Sequence, residues 1–244
     1  MGKYQIVRSK MEKTRVMLTD TTLAQYVPKT EPFNAEKLYA MLQEFKQVYV
    51  KPDCGRGGKR VILIVLEDDG TYQINYKTSA EKVHEIEKAA NFIDKVAAGD
   101  PFIIQQGISL LRIDKAPFDL RVNVQKPYTK WEVTAMIAKI MAQGKIVTNY
   151  CQGSTLLEFK QALLQAGLNM DEVKQLKGLL TYLGEQTASV LNDKYRGLRE
   201  LGLDIALDCS TKLWILEVNT KPKYPRGLSK KFDRYRRIIR RDCR

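Results

Sequence analysis

Two apolar runs near the C-terminal end constrain the fold more than any other feature. Leu203-Asp204-Ile205-Ala206-Leu207 and Leu213-Trp214-Ile215-Leu216-Glu217-Val218 flank the turn Asp208-Cys209-Ser210-Thr211. Each run reads as a strand with a carboxylate set among apolar residues, so the pair reads as a hairpin. Glu217 and Asn219 are two apart and share one face, and Asp204 can lie on that face across the turn. Two carboxylates and an amide oxygen are hard donors of the kind Mg²⁺ takes. An ordinary hairpin with an outward polar face has the same pattern.

Upstream, residues 7–26 read as one amphipathic helix ended by Pro28, and Asn34 caps a helix carrying Leu38, Met41, Leu42 and Phe45 on one face. Strands follow at 48–51, 60–66 and 71–77, the last two forming a hairpin. Residues 81–97 read as a helix, 102–105, 120–125 and 131–141 as strands, and 155–166 and 171–192 as helices. Strands and hairpins mix with helices instead of alternating with them, which predicts α+β rather than a doubly wound parallel sheet.

Composition excludes several classes. The 244 residues are 44% hydrophobic and 28% charged, enough for a buried core and unlike a disordered chain. No stretch reaches eighteen uncharged apolar residues, so no membrane span is expected, and the start lacks a signal core. A cytoplasmic protein is the default. The four cysteines are far apart and His84 is the sole histidine, placed in a polar helical run as a solvated residue. A structural zinc site and histidine-based nucleophilic catalysis are therefore not expected, and free thiols fit a reducing compartment.

Three further segments can carry chemistry. Val48-Tyr49-Val50-Lys51 ends a strand and is followed by a loop holding Gly55, Gly57 and Gly58. Glycine lets backbone N–H groups approach a phosphate, and lysine adds charge. The order is neither a Walker A loop nor Gly-x-Gly-x-x-Gly, and a plain glycine-rich turn also explains it. Phe102-Ile103-Ile104-Gln105-Gln106-Gly107-Ile108 is an apolar strand meeting two amides and a glycine, which fits a hinge reading an adenine edge or any strand end. Asp119-Leu120-Arg121-Val122-Asn123-Val124 alternates, so Asp119, Arg121 and Asn123 share a face, either functional or merely solvated.

The order of these segments resembles the ATP-grasp superfamily, and more narrowly the YheC/YheD group of endospore coat-associated proteins. The narrower resemblance rests on Tyr26-Val27-Pro28-Lys29-Thr30, Val50-Lys51-Pro52, Ile104-Gln105-Gln106-Gly107-Ile108, Asp119 through Lys126, Thr148-Asn149-Tyr150 and Glu217-Val218-Asn219-Thr220-Lys221-Pro222. It runs from about residue 9 to about 228.

The resemblance implies a Mg·ATP cleft between two α+β lobes. Lys51 would contact the α/β-phosphates beneath the 55–58 loop, helped by Lys10 or Lys13. Gln105, Gln106 and Ile108 would form the adenine hinge, and Asp119 would lie near the ribose. Arg121 would reach the γ-phosphate or an acyl-phosphate, with Asn149 near the transferring group. Asp204, Glu217 and Asn219 would hold Mg²⁺, matching the family spacing of thirteen residues and then two. The implied reaction is ATP-dependent carboxylate–amine ligation through an acyl-phosphate, driven by positioning and electrostatics and needing no histidine base. Lys139 stands where many relatives carry arginine, keeping charge but not the bidentate fork, and Gly153-Ser154 replaces a Gly-Gly pair. Those departures favour the alternative, a coat-associated structural protein that keeps the fold without catalysis.

The implied organisation is a lead-in over 1–33, a small lobe over 34–106, a large lobe over 107–228 and a basic tail over 229–244. It leaves no room for the N-terminal domain with which many such ligases bind the acceptor, so the carboxylate or amine substrate is not identified. The net charge of +13 is concentrated at the end, where residues 221–244 hold eleven Lys/Arg against two Asp. The tail reads as a docked helix with a Phe232/Tyr235/Ile239 stripe, as an anionic-substrate site, or as a polyanion or membrane-surface contact.

Overall fold

The computed structural model describes residues 4–55, 57–142, 146, 153–222 and 229–242. The first sheet comprises β1 (Thr30–Pro32), β2 (Gln47–Pro52), β3 (Ile62–Leu66), β4 (Tyr72–Tyr76), β5 (Ser79–Val83) and β6 (Phe102–Gln106), in the spatial order β1-β6-β2-β3-β4-β5. The second comprises β7 (Arg112–Ile113), β8 (Ala116–Gln125), β9 (Glu132–Ile140), β10 (Thr155–Glu158), β11 (Glu200–Leu207) and β12 (Leu213–Asn219), in the order β10-β9-β8-β11-β12 with β7 beside β8. The named strand pairs are antiparallel. With helices packed on both sheets, this is the α+β architecture that the segment order predicts.

Each sheet buries its own core. Helices α3 (Ala35–Phe45) and α4 (Ile86–Ala97) cover the first, where Leu38, Met41, Leu42 and Ile93 meet Val48, Val50, Ile62, Ile64 and Ile104. Asn34 caps α3 as expected, its side chain accepting from the Lys37 N–H at 2.7 Å. Helices α1 (Lys10–Met17), α2 (Thr21–Ala24), α5 (Phe159–Gln165) and α6 (Met170–Lys194) pack with the second sheet. There Leu120, Val122, Val124, Leu203 and Ile205 are fully buried against residues such as Leu180 and Leu183. The alternation along β8 and β11 thus sends one face to this core and the other, with Asp119, Arg121 and Asp204, toward the first sheet.

Three expected elements differ. The helix expected over 7–26 is broken, because the Asp20 carboxylate accepts from Leu23 N–H at 2.8 Å and from Gln186 at 2.8 Å and so starts a new helix. The helix expected from residue 81 begins at Ile86, and β5 precedes it. Ser79 to Lys82 are exposed, so this edge strand carries no apolar period to read and is formed by hairpin pairing with β4. His84 is therefore an exposed residue at the bend between β5 and α4 rather than on a helix. The helix expected over 155–166 opens with the strand β10, which pairs with β9, and its last residue Glu158 caps α5 by accepting from Gln161 N–H at 2.9 Å.

The tail forms α7 (Lys230–Asp242). Its stripe docks, since Phe232, Tyr235 and Ile239 are buried. Ser229 caps it, accepting from Phe232 N–H at 2.9 Å while donating to the Thr134 carbonyl at 2.7 Å, and Tyr235 donates to Glu132 at 2.8 Å.

Candidate functional site

The polar face of the second sheet is assembled by register. Asp204 lies opposite Arg121 on β8 and opposite Glu217 on β12, and Asp119 lies opposite Lys139 on β9. Residues paired across antiparallel strands point to one side, and so do residues two apart. The carboxylates and cations therefore converge although they come from four strands.

Asp204 is the centre of this group. The Arg121 Nε donates to its Oδ1 at 2.8 Å and the second guanidinium nitrogen to its Oδ2 at 3.0 Å. Lys139 donates to Oδ1 at 2.6 Å, and the Asn219 amide to Oδ2 at 3.2 Å. The Lys139 ammonium also stands 3.0 Å from Asp119 Oδ1. Burial pushes the Asp204 carboxyl up, but Arg121 and Lys139 outweigh burial and hold it below the usual carboxylate range.

The first sheet supplies the opposite wall. Lys51 sits at the end of β2 and donates to the Gln105 side chain at 2.7 Å. Burial lowers its ammonium to about 8, against the pull of Glu217. Gln105 is itself buried, held by Thr30 at 3.0 Å and by the Leu216 carbonyl at 3.3 Å. Its side chain therefore ties β1, β6 and β12 together. At Gly107 a Cβ would stand 2.6 Å from Gln47 Cγ and 2.9 Å from the Gln47 carbonyl, so only glycine fits. Gly57 and Gly58 have φ of 71° and 66°, where glycine is favoured.

Between the walls lies a cleft of about 890 Å³, counting space open to solvent. Lys10, Lys51, Gly55, Gly57, Gly58, Gln105, Gln106, Ile108, Asp119, Lys139, Asp204 and Glu217 line it, each selected from sequence. Tyr49, Lys59, Val61, Leu110, Met141 and Leu216 line it too and were not selected. The apolar ones among them carry no signal that separates them from core. Arg121 is brought to the site through Asp204 and does not line the cleft. Asn219 lines a neighbouring cavity that shares Glu217 with the cleft. Asn149 lies outside the described residues. Lys10 lines the cleft, donating to the Pro52 carbonyl at 2.9 Å and standing 3.9 Å from Glu217, whereas Lys13 lines the neighbouring cavity.

The oxygen donors fit a magnesium ion in type, with one condition. Asp204 and Glu217 are cross-strand partners, and Asn219 keeps its amide oxygen while its nitrogen holds Asp204. A carboxylate offers about four acceptor positions, and Asp204 uses them on Arg121, Lys139 and Asn219. A metal ion must therefore draw on Asp204 as those cations release it. Glu217 is partly exposed in the cleft and needs no such release.

The fold and sequence have known counterparts. The family described as YheC/D-like ATP-grasp matches residues 3–241. The chain is similar to the endospore coat-associated protein YheD of Bacillus subtilis (strain 168), at 28% identity over 218 residues, covering 83% of this chain and 46% of that protein. To the endospore coat-associated protein YheC of the same organism it is 27% identical over 205 residues, covering 81% and 55%. The chain thus spans about half the length of the curated relatives it matches. Among solved structures it resembles D-cycloserine synthetase DcsG, with a TM-score of 0.60 and 12% identity over 97% of this chain and 70% of that one. It also resembles D-alanyl-alanine synthetase A from Vibrio cholerae O1 biovar eltor str. N16961, with a TM-score of 0.55 and 14% identity over 93% and 59%. Those identities carry the fold alone, whereas the family match runs from the first strand's approach through the docked helix, and this chain belongs to the YheC/D-like ATP-grasp family.

Proposed function

We propose that this protein binds Mg·ATP in the cleft between the two sheets and uses it to activate a carboxylate for attack by an amine. The observation that carries this reading is the convergence of Lys10, Lys51 and Lys139 with Asp204 and Glu217 on one cleft floored by glycine-rich backbone. The adenine would lie at the hinge end, against Gln106, Ile108, Leu110 and Met141. Its phosphates would run toward Lys51 and Lys10 beneath Gly55, Gly57 and Gly58, with Asp119 beside the ribose. Asp204, Glu217 and Asn219 would hold Mg²⁺. When bound, that ion supplies positive charge at the transferring phosphoryl group.

Arg121 and Lys139 are the chain's own charge for the transfer. They are held on Asp204 until the phosphates compete for them, and they need no repositioning of the backbone to reach across the sheet face. In the step itself a carboxylate oxygen bonds to the γ-phosphorus, and the β–γ bridging bond breaks with its electron pair leaving on ADP. An amine then attacks the acyl carbon, phosphate leaves, and the amine gives up its proton. The test is calorimetry of ATP, with and without Mg²⁺, on the natural chain and on Glu217→Gln. Magnesium-dependent binding weakened by the substitution is expected, and no binding under any condition overturns the reading.

A second reading is favoured by the similarity to YheD and YheC, which are named as endospore coat-associated proteins. On it the chain keeps the fold for assembly in spore layers and needs no turnover. Full function of Glu217→Gln in the cell would support it, and loss of function would count against it.

A further inference from the structure

Beyond Glu217 a second cavity opens, of about 830 Å³ counting space open to solvent. It shares Gly55 and Glu217 with the nucleotide cleft, so the two are neighbours across that carboxylate. Among the described residues its charged lining is Arg8, Lys13 and Lys221 against the carboxylate of Glu217.

Lys13 is the informative residue. It is 4% exposed, and its ammonium donates to the carbonyls of Val7 at 3.0 Å and Arg8 at 3.4 Å. An ammonium has three donors, and among the described residues no carboxylate stands within ion-pair distance of this one. Burial lowers it to about 8. A buried cation with no ion-pair partner is costly, and here the carboxylates of Glu217 and Asp53 offset that cost only in part, from beyond ion-pair distance. Lys51 in the nucleotide cleft is likewise lowered to about 8 by burial and donates to a neutral partner, Gln105. Lys139, by contrast, is already paired with two carboxylates. Each of the two neighbouring cavities therefore holds a buried lysine that, among the described residues, has no carboxylate within ion-pair distance.

We infer that the second cavity is the acid-substrate site and takes a small organic acid with two or more carboxylates, held by Arg8, Lys13 and Lys221. This rests on the nucleotide reading above, because the acid end facing Glu217 is then the end that meets the γ-phosphate. A net lining charge of two positive units favours a multiply charged ligand over a neutral or singly charged one.

Cys54 is a free, exposed thiol on the wall of this cavity, and Cys209 is a free, exposed thiol that does not line it. The test is the rate of alkylation of Cys54 relative to Cys209, followed by peptide mass mapping, with tricarballylate as the probe and sodium chloride matching its ionic strength. At saturating tricarballylate the natural chain should show at least about a fivefold slower reaction at Cys54, and Lys13→Gln should show none of that protection. Arg8→Gln, on an exposed side chain, should weaken it as well and covers the case in which the buried substitution unfolds the chain. Equal protection by sodium chloride or by inorganic phosphate would overturn a carboxylic-acid site, as would full protection in both variants. Calorimetry of Mg·ATP on the same samples separates the two readings. Binding of ATP without protection of Cys54 sinks this inference alone. Loss of ATP binding in Lys13→Gln with protection retained reassigns Lys13 to the nucleotide. Failure of the natural chain to bind ATP at all overturns the nucleotide reading and, with it, the substrate role of this cavity.

Discussion

Arg121 and Asp204 face each other across the β8–β11 pair and meet through two parallel hydrogen bonds of 2.8 and 3.0 Å. They are 83 residues apart in the chain. The fork geometry fixes the guanidinium in the plane of the carboxylate, which a lysine could not do. Lys139 completes the arrangement, so the carboxylate proposed to hold a metal is already neutralised by two cations proposed to serve the phosphates.

Removing the carboxylate should expose this balance. Asp204→Asn leaves Arg121 and Lys139 without their shared counter-charge in a buried setting, and breaking such a group costs about 3–5 kcal/mol. Urea denaturation of the variant should show a loss of that order. A change within about 0.5 kcal/mol, the range of an ordinary surface substitution, would mean that the ion group does not hold the sheet face together.

The proposed nucleotide binding should depend on pH through Lys51. Its ammonium is lowered to about 8 by burial, with Glu217 and Asp204 opposing and Lys10 assisting that fall, while Gln105 is its only hydrogen-bond partner among the described residues. Above that value the free protein holds Lys51 largely neutral. Phosphate oxygens beside it favour the charged form and raise it again, so binding should take up a proton and weaken as pH rises through about 8. Calorimetry at pH 8.5 in buffers of different ionisation enthalpy should detect the uptake, and Lys51→Met should abolish it.

At the hinge the limit is steric. Gly107→Ala places a methyl 2.6 Å from Gln47 Cγ and 2.9 Å from a main-chain oxygen, and the Gly107 N–H bonds that same carbonyl at 2.9 Å. The side chain can turn away, but the carbonyl can move only by shifting β2. Overpacking of this kind costs about 1–3 kcal/mol, measurable as a lowered denaturation midpoint. An unchanged midpoint would mean that the hinge backbone relaxes freely.

Helix α7 should loosen in acid. Glu132 accepts from Lys231 and Tyr235, and these hydrogen bonds hold its carboxyl below the usual value. A depressed carboxyl stabilises above its unfolded value of about 4.3, and that stabilisation is lost as pH falls through the folded value. Hydrogen-exchange protection of residues 230–242 should therefore be present at pH 7 and decline below about pH 4. Glu132→Gln should reduce it at pH 7. Phe232→Ala, which empties a fully buried site, should cost about 3–5 kcal/mol if the helix is integral to the fold.

Much of this protein is written in short-range pattern. The strands carrying Asp119, Arg121 and Asp204 alternate with period two, so their polar face and apolar face are readable residue by residue, whereas on β12 a bulge opposite Asp204 and Ile205 puts Leu216 and Glu217 on the cleft together. The spacing from Asp204 to Glu217 to Asn219 and the stripe of Phe232, Tyr235 and Ile239 are local too, and the mixed order of elements is enough for α+β. The edge strands β5 and β10 are not readable in this way, because few of their residues are buried and pairing alone makes them strands. Nor does any periodicity tell Lys10 from Lys13, which sit on one short helix yet line different cavities. That separation, the ion group on Asp204 and the proximity of Lys51 to the second sheet all depend on register between strands distant in sequence. Register is decided by which faces bury together, a property of the packed sheets that no window of residues contains.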